Sequence, residues 1–531
     1  MSNVVVIFEP SGLRVSVESG TTALEAARQV GLHIPSDCGG RGTCGKCKII
    51  VHPQGEPSAS DREHLSAEEI ENGIRLACKS QLNVRTRVLL LSKEAQVKIL
   101  TTSETKEWTI DSGMEDQYGI AVDLGTTTIV AYLLDLSNGV QIAQVQSLNP
   151  QTAYGEDVIS RITFASREID GSKILQQRVI NEFNHQITQL LERTDVNRNQ
   201  ISRITIVGNT AMHHLLLAAD TGTLGRAPYQ PSISGPTIMN PLQLGIQTKE
   251  SSELYLPPNI AGFVGGDTVG FILSQRLDKV DDVVLGIDIG TNGEIVLSDH
   301  GKMYCCSAAA GPAFEGSTIL HGMRGQKGAI EYLSIIDKDD KPDISVIGQS
   351  SPRGLCGSAI VDVVAELHRT GIVDDSGRMH KQSIRVQDDE KHGPSYVVVT
   401  KEENVQRNQI IFTQKDVRQV QLAKAAIQAG SALLLEAAGK DVSEIDRVLL
   451  AGAFGNYIRP ESALAIGILP KVEVSQIIPV GNAAGEGAKG LLLSKKSRDL
   501  AEKLVTETQY IELSSQEKFQ EIFLKSISLL Q

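Results

Sequence analysis

The sequence predicts a multidomain chain of mixed α+β and α/β type, in which a small domain and a linker precede a large region built from two related halves. Three observations predict it. Residues 4–30 read as strand, strand and helix, and four cysteines follow between positions 38 and 78. Residues 93–116 are polar and lack a steady period. Beyond them, a strand–Asp-x-Gly-Thr–strand pattern occurs twice, with Asp123 and Asp288 about 165 residues apart, the mark of an internal duplication.

A chain of 531 residues exceeds what one core supports. With 41% hydrophobic and 22% charged residues the composition is globular, and 48 glycines point to many tight turns or ligand-cradling loops. A formal charge of −13 argues against nucleic acid, which requires a basic face to neutralise phosphates. No apolar run reaches the roughly 18 residues of a membrane helix. The N-terminus carries no basic region ahead of an apolar signal core, so a cytoplasmic protein with no membrane partner is expected. Cys305, Cys306 and Cys356 lie far from the other four cysteines, a distribution that favours metal ligation over a disulfide framework.

In the first ninety residues, Val4–Phe8 and Leu13–Val17 flank the turn Glu9-Pro10-Ser11-Gly12 and form a hairpin. Thr21 and Thr22 cap a helix from Ala23 to Val30, with Glu25 one turn in and Gly31 as terminator. A loop from Pro35 to Lys46, a strand at Lys48–Val51, and Arg75-Leu76-Ala77-Cys78 ahead of a strand at Val84–Leu91 complete the β-grasp order over residues 1–92. Cys38, Cys44, Cys47 and Cys78 are separated by five, two and thirty residues. Four thiolates satisfy a [2Fe–2S] cluster, and Gly39, Gly40, Gly42 and Gly45 let backbone amides approach its sulfides. A structural zinc is the competing metal, but such sites usually draw on two Cys-x₂-Cys pairs, whereas Cys38 and Cys78 stand alone. The five-then-two spacing resembles the adrenodoxin-like [2Fe–2S] ferredoxins. Arg41, Lys46, Lys48 and Lys79 around the ligands read either as a solvated rim or as a docking patch.

After the linker, Ile120 to Asp135 reads as strand, turn and strand, and the turn Asp123-Leu124-Gly125-Thr126-Thr127-Thr128 gathers hydroxyls and amides suited to phosphate oxygens. Val284 to Leu297 repeats it around Asp288-Ile289-Gly290-Thr291-Asn292-Gly293. Each turn alone is equally an ordinary hairpin. Together with Val448-Leu449-Leu450-Ala451-Gly452-Ala453-Phe454-Gly455, a buried strand running into glycines, the pair resembles the sugar kinase, Hsp70 and actin superfamily. That resemblance implies two ribonuclease-H-like halves, residues 117–282 and 283–531, closing on ATP and Mg²⁺. It further implies that Gly125, Thr126, Thr127, Thr128, Gly290, Thr291 and Asn292 contact phosphates, and that Gly452 and Gly455 lie beside adenosine. Asp123 and Asp288 would position Mg²⁺ and water; Asp288 is the first choice for orienting the attacking water, with Glu294 as the alternative.

Between the loops, Ile204–Gly208 enters a helix through Asn209-Thr210, where a polar residue of the superfamily orients water. His213 and His214 are adjacent and so point about 100° apart on a helix, which favours packing or surface roles over a metal site. Residues 224–260, rich in Pro and Gly, read as an inserted excursion before Gly265-Gly266-Asp267 starts a helix. Ala308 to Gly316, including Glu315, is a small-residue loop that suits either a ligand or a tight turn. Ser358 is a candidate helix cap, and Cys305, Cys306 and Cys356 read as buried packing residues. Thr413-Gln414-Lys415-Asp416 is a capping box, and Gly481-Asn482 starts a further helix.

The fusion of a [2Fe–2S] domain to such an ATPase, with Gly-Ala-Phe-Gly-Asn-Tyr at 452–457, resembles the reductive activators of corrinoid enzymes over almost the whole chain. The resemblance implies ATP-dependent one-electron reduction of an inactive Co(II) corrinoid protein to Co(I), a low-potential electron donor, and possible homodimerisation. Members of that family carry an extra middle domain between linker and ATPase. Here the first phosphate loop follows the linker almost directly, so that domain is expected to be absent. Two other readings stay open: a redox-regulated small-molecule kinase, and a chaperone-like nucleotide-switched binding module with a structural cluster.

Overall fold

The computed structural model describes residues 3–9, 13–30, 32, 34, 42, 45, 47–53, 55–90, 108–155, 157–404, 408–455 and 457–529. It divides into two compact units, Met1–Glu107 and Trp108–Gln531.

In the small unit, β1 (Asn3–Glu9) and β2 (Leu13–Glu18) form the expected antiparallel hairpin and lead into α1 (Ala23–Gln29). Glu25 and Thr22 cap α1 reciprocally, each accepting the other's backbone N–H. Then come β3 (Lys48–His52), α2 (Ala59–His64), α3 (Ala67–Glu71), β4 (Ile74–Leu76) and β5 (Thr86–Leu90). The strand order β2-β1-β5-β3-β4, with β1 parallel to β5, is a β-grasp sheet. Val6, Phe8, Ala23, Ala27, Ile49 and Val88 fill its core. Two buried polar residues brace this region, one of them tying α2 to the segment that carries Cys78. Asp61 accepts from the Ser58 hydroxyl and from the Leu76 amide (both 2.7 Å), and Arg75 donates to the carbonyls of Gly55, Ile70 and Ile74.

The large unit begins at Trp108. Trp108 and Met114 pack against its core, the Asp111 amide donates to the Leu493 carbonyl (3.0 Å), and the Asp111 carboxylate pairs with Arg203 at 2.8 Å. Residues 108–116 are therefore part of this unit rather than linker, a consequence of one indole and one ion pair in an otherwise polar stretch. The remainder of the expected linker, residues 93–107, lies outside the described residues.

The first half runs β6 (Tyr118–Leu124), β7 (Thr128–Asp135), β8 (Gln141–Leu148), α4 (Val158–Arg167), α5 (Gly171–Glu192), β9 (Ile201–Gly208), α6 (Thr210–Leu216), β10 (Thr237–Met239), β11 (Glu253–Leu256) and α7 (Gly266–Gln275). The second runs β12 (Val283–Ile289), β13 (Gly293–Asp299) and β14 (Lys302–Ala308), a small sheet of β15 (Ala329–Ser334), β16 (Asp343–Val346) and β17 (Gly354–Leu355), and α8 (Gly357–Arg369). It continues with a sheet of β18 (Val386–Asp389), β19 (Gly393–Val399) and β20 (Ile410–Thr413), followed by α9 (Gln414–Ala438). Next come β21 (Arg447–Ala451), α10 (Gly452–Gly455), α11 (Pro460–Ala465), β22 (Ile477–Gly481), α12 (Ala483–Leu493), α13 (Lys495–Glu507), β23 (Gln509–Tyr510) and α14 (Phe519–Lys525).

The duplication is visible in the strand orders, β10-β11-β9-β6-β7-β8 and β22-β21-β12-β13-β14-β23. In each half three antiparallel strands are followed by strands added in parallel on the other side, β9 and β11 beside β6, β21 and β22 beside β12. β11 therefore holds the place that β22 holds in the other half. The stretch 224–260 was expected to be an inserted excursion, yet it contains this sheet strand. Pro- and Gly-rich connections hid four residues whose Leu254 and Leu256 are buried. His213 and His214 pack, as expected, and in the interior. Asn259 Nδ2 lies 2.8 Å from His213 Nδ1, and the Ile233 amide donates to His214 Nε2 at 3.1 Å, so both rings pin the connection onto α6.

The helix starts divide. The Thr413–Asp416 capping box forms on α9. Ser358 does not cap α8: Cys356 occupies that position, and the Ser358 hydroxyl donates instead to the Glu331 carbonyl at 2.6 Å. Cys305, Cys306 and Cys356 are all buried.

Candidate functional site

β6 and β12 are the inner strands of the two sheets, and each carries its aspartate just before the turn. Asp123 lies opposite Val207 of β9, and Asp288 opposite Ala451 of β21. Helices α7 and α12 pack together between the halves through Gly270 and Gly487, so closely that a Cβ on Gly487 would sit 2.2 Å from the Gly270 carbonyl oxygen. The N-termini of these helices bring two further polar residues to the cleft, Asp267 and Asn482. Asn482 caps α12, donates to Asp123 Oδ2 at 2.8 Å and lies 3.2 Å from the Tyr132 hydroxyl.

Four recessed carboxylates result. Burial raises the pKa of Asp123 to about 6, against the Asn482 hydrogen bond, which lowers it. Burial raises Asp267 to about 7, with the Asp123 charge adding to it. Asp288 is pushed up to about 8 by burial and then by the charges of Asp267 and Asp123, with no donor among the described residues to offset them. Glu294 rises well above the carboxylate range for the same reasons. A cluster of recessed like charges is a place where a cation is favoured. Among the described residues no three acidic, His or Cys side chains close around one point.

The turns face one another. Thr127 Oγ1 and Thr291 Oγ1 are 3.4 Å apart, and each donates to one oxygen of Glu315, at 2.7 and 2.5 Å. Thr126 Oγ1 accepts from Asn209 Nδ2 at 3.0 Å, and Asn149 Nδ2 donates to the Gly125 carbonyl at 2.9 Å. Thr128 is exposed, and its carbonyl closes the first turn by accepting from the Gly125 amide. Asn292 closes the second in the same way, accepting from the Gly290 amide at 2.9 Å. Gly452 has φ +87°, and a Cβ there would meet Asp288 Oδ1 at 2.5 Å. A Cβ on Gly455 would meet the Leu450 carbonyl oxygen at 2.7 Å. Asp123, Asp288, Thr126, Thr127, Thr291 and Gly452 thus come together at the mouth of one cleft, while Thr128 turns to solvent.

The sequence reading assigned no role to Glu315, Asp267, Asn482, Asn149 or Arg161. For Asp267 and Asn482 the signal was present as helix starts at matching places in the two halves. For Glu315, in a turn 24 residues after Thr291, nothing local pointed to the phosphate loops.

In the small unit, Cys47 and Cys78 are buried, with sulfurs 3.4 Å apart and no disulfide between them. Two thiolates bound at about 2.3 Å to one tetrahedral metal lie at nearly this separation. Gly42 has φ +85°, and a Cβ there would strike Lys79 Cε at 2.2 Å. This pair and its close-packed loop therefore fit a metal–thiolate group. Cys38 and Cys44 lie outside the described residues, as do Gly39, Gly40, Arg41 and Lys46. Lys48 is engaged with Glu69 at 2.6 Å, which removes one charge from the supposed docking rim.

A β-grasp unit with a buried thiolate pair, joined in one chain to a duplicated fold with facing phosphate loops, defines an iron–sulfur protein fused to an ATPase of the actin-like type. A model of the 2Fe-2S iron–sulfur cluster binding domain matches residues 6–83, the RACo middle region matches 118–280, and the C-terminal domain of RACo, the ASKHA domain, matches 282–531. The chain is 31% identical to the corrinoid activation enzyme RamQ of Eubacterium limosum over 98% of both chains. It is 23% identical to a [Co(II) methylated amine-specific corrinoid protein] reductase of Methanosarcina barkeri over 77% of each. A solved structure of a reductive activator for corrinoid, iron–sulfur protein superposes with a TM-score of 0.71 and 29% identity, covering 99% of this chain and 98% of that one. The chain belongs to the family of reductive activators of corrinoid proteins.

The expected absence of a middle domain is overturned. The middle-region model covers 118–280, the stretch that carries the first phosphate loop. The stretch expected to be the first half of the ATPase thus matches the family's middle region, and its β6–β9 core repeats the second half strand for strand. Among the described residues, no helix is long and apolar enough to cross a membrane.

Proposed function

We propose that this chain is an ATP-dependent reductive activator, delivering one electron through its N-terminal domain to a corrinoid protein held as inactive Co(II) and regenerating Co(I) for methyl transfer. The observation that carries this reading is the presence of a buried thiolate pair and a two-loop phosphate cleft in one chain that aligns end to end with RamQ. A [2Fe–2S] group held by Cys38, Cys44, Cys47 and Cys78 supplies one-electron transfer, near −400 mV if its potential is about that of plant-type ferredoxins. For one electron, each shortfall of about 59 mV against the acceptor costs tenfold in equilibrium. Nucleotide binding offsets it only where the chain holds one state of its partner more tightly than another.

ATP is the substrate of the large unit. Thr126, Thr127 and Thr291, with the amides of their turns, hold the phosphates, and Gly452 gives the nucleotide close access beside Asp288. Asp123, Asp267 and Asp288 would hold Mg²⁺, and Asp288 would orient the attacking water. A low-potential electron donor, a homodimer and residence in the cytoplasm belong to the same reading.

The test combines the chain with a low-potential reductant, MgATP and candidate corrinoid proteins of its organism. Appearance of the Co(I) absorption only with ATP, and faster ATP hydrolysis with the corrinoid protein, are expected. Absence of Co(I) with every candidate would sink the reading, and a phosphorylated metabolite formed in proportion to ATP would select the kinase instead.

A further inference from the structure

The side chain that joins the two phosphate loops belongs to neither. Glu315 sits in the turn after β14, between the fully buried Phe314 and Gly316, whose amide donates to the Ala313 carbonyl at 3.1 Å. From there its two oxygens take the hydroxyl protons of Thr127, from the first half, and Thr291, from the second. A threonine hydroxyl has one proton to donate. While Glu315 accepts both, neither hydroxyl has a donor left for a phosphate oxygen.

A buried cation lies within electrostatic reach of that carboxylate. Arg161 of α4 is fully buried. Its Nε donates to the Gly155 carbonyl at 2.9 Å and its Nη1 lies 3.6 Å from Met212 Sδ, while its Nη2 is buried without a hydrogen-bond partner among the described residues. The same Met212 sulfur is 3.6 Å from Asn149 Nδ2, which in turn holds the Gly125 carbonyl of the first phosphate loop. Two side chains, Met212 and Asn149, thus separate the guanidinium from that loop. Burial lowers its pKa to about 10, and the foremost charge sustaining it is Glu315. A buried N–H without an acceptor is costly, so a carboxylate turning toward it is favoured.

We propose that Glu315 is a positioning residue that competes with nucleotide phosphate for the Thr127 and Thr291 hydroxyls, and that on nucleotide binding it moves to the free edge of Arg161. Coupling of the two halves then passes from a protein carboxylate to the polyphosphate of ATP. This rests on the reading of the Asp123–Thr128 and Asp288–Gly293 turns as phosphate loops.

Equilibrium binding of MgATP and of AMP to the full-length holoprotein tests it. Glu315→Gln, which keeps the shape and removes the charge, is expected to tighten MgATP by about fivefold or more, the worth of roughly one net hydrogen bond. AMP, without the outer phosphates, is expected to bind as before. Glu315→Ala moves in the same direction. Arg161→Gln weakens MgATP, and the double variant binds better than the sum of the two changes predicts. Unchanged or weaker MgATP binding by both Glu315 variants, with the parent protein binding normally, overturns the proposal alone. Failure of the parent protein to bind MgATP overturns the phosphate-loop reading and the proposal with it.

Discussion

Asp288 and Gly452 come from segments more than 160 positions apart, yet a Cβ at 452 would collide with the Asp288 carboxylate, so glycine is required there by its neighbour as much as by a nucleotide. Such pairs explain why the carboxylates titrate where they do. Asp123, Asp267 and Asp288, raised to about 6, 7 and 8, hold protons in the folded chain that they would have released in the unfolded one. The sign follows. The folded chain binds more protons than the unfolded chain between about pH 4 and pH 8, so the stabilising contribution of these groups is complete below about pH 4 and is lost progressively as pH rises from there through the folded values of about 6, 7 and 8. On the proposed reading, Mg²⁺ with nucleotide would replace the lost protons. The shift in thermal midpoint produced by MgADP is therefore expected to be larger at pH 8 than at pH 6, and Asp288→Asn is expected to flatten that dependence. An equal shift at both pH values would show that the cluster does not hold the cation. The raised values were not readable from the sequence, since each arises first from burial where distant elements meet and, for Asp267 and Asp288, also from the charges of carboxylates on other elements.

Among the elements, α9, like α1, has a start fully written in the sequence: Thr413 and Asp416 satisfy each other's backbone donors, and both are buried. Thr413→Ala is expected to cost about 1 kcal/mol of unfolding free energy, the usual worth of such a cap. Urea unfolding should show it as a lower midpoint with an unchanged slope. α8 shows the opposite case. Its local sequence nominates Ser358, but the Glu331 carbonyl on β15 claims that hydroxyl. The helix pair α7 and α12 was readable only in part. Gly265-Gly266-Asp267 and Gly481-Asn482 announce two helix starts, but the contact through Gly270 and Gly487, which aims Asp267 and Asn482 into one cleft, is a long-range pairing with no local signature.

At the scale of the molecule, the two compact units carry separate cores, and the single tryptophan, Trp108, packs against Gly490 of α12 in the large one. Tryptophan fluorescence therefore follows unfolding of the large unit, while visible absorption of the iron–sulfur group follows the small one. Two non-coincident transitions in denaturant are expected, and a single shared midpoint would mean that the units unfold as one. The cysteine spacing, the repeated Asp-x-Gly-Thr turns and the glycines at 452 and 455 sufficed by themselves to define a [2Fe–2S] β-grasp domain joined to a duplicated ATPase fold, because each is a short-range pattern imposed by backbone geometry or ligand valence. Tertiary structure alone decided that β11 belongs to the first sheet and that Glu315 bridges the two Asp-x-Gly-Thr turns. Those outcomes depend on which strands and turns meet across the fold, and the energy of such meetings is spread over residues that no local pattern connects.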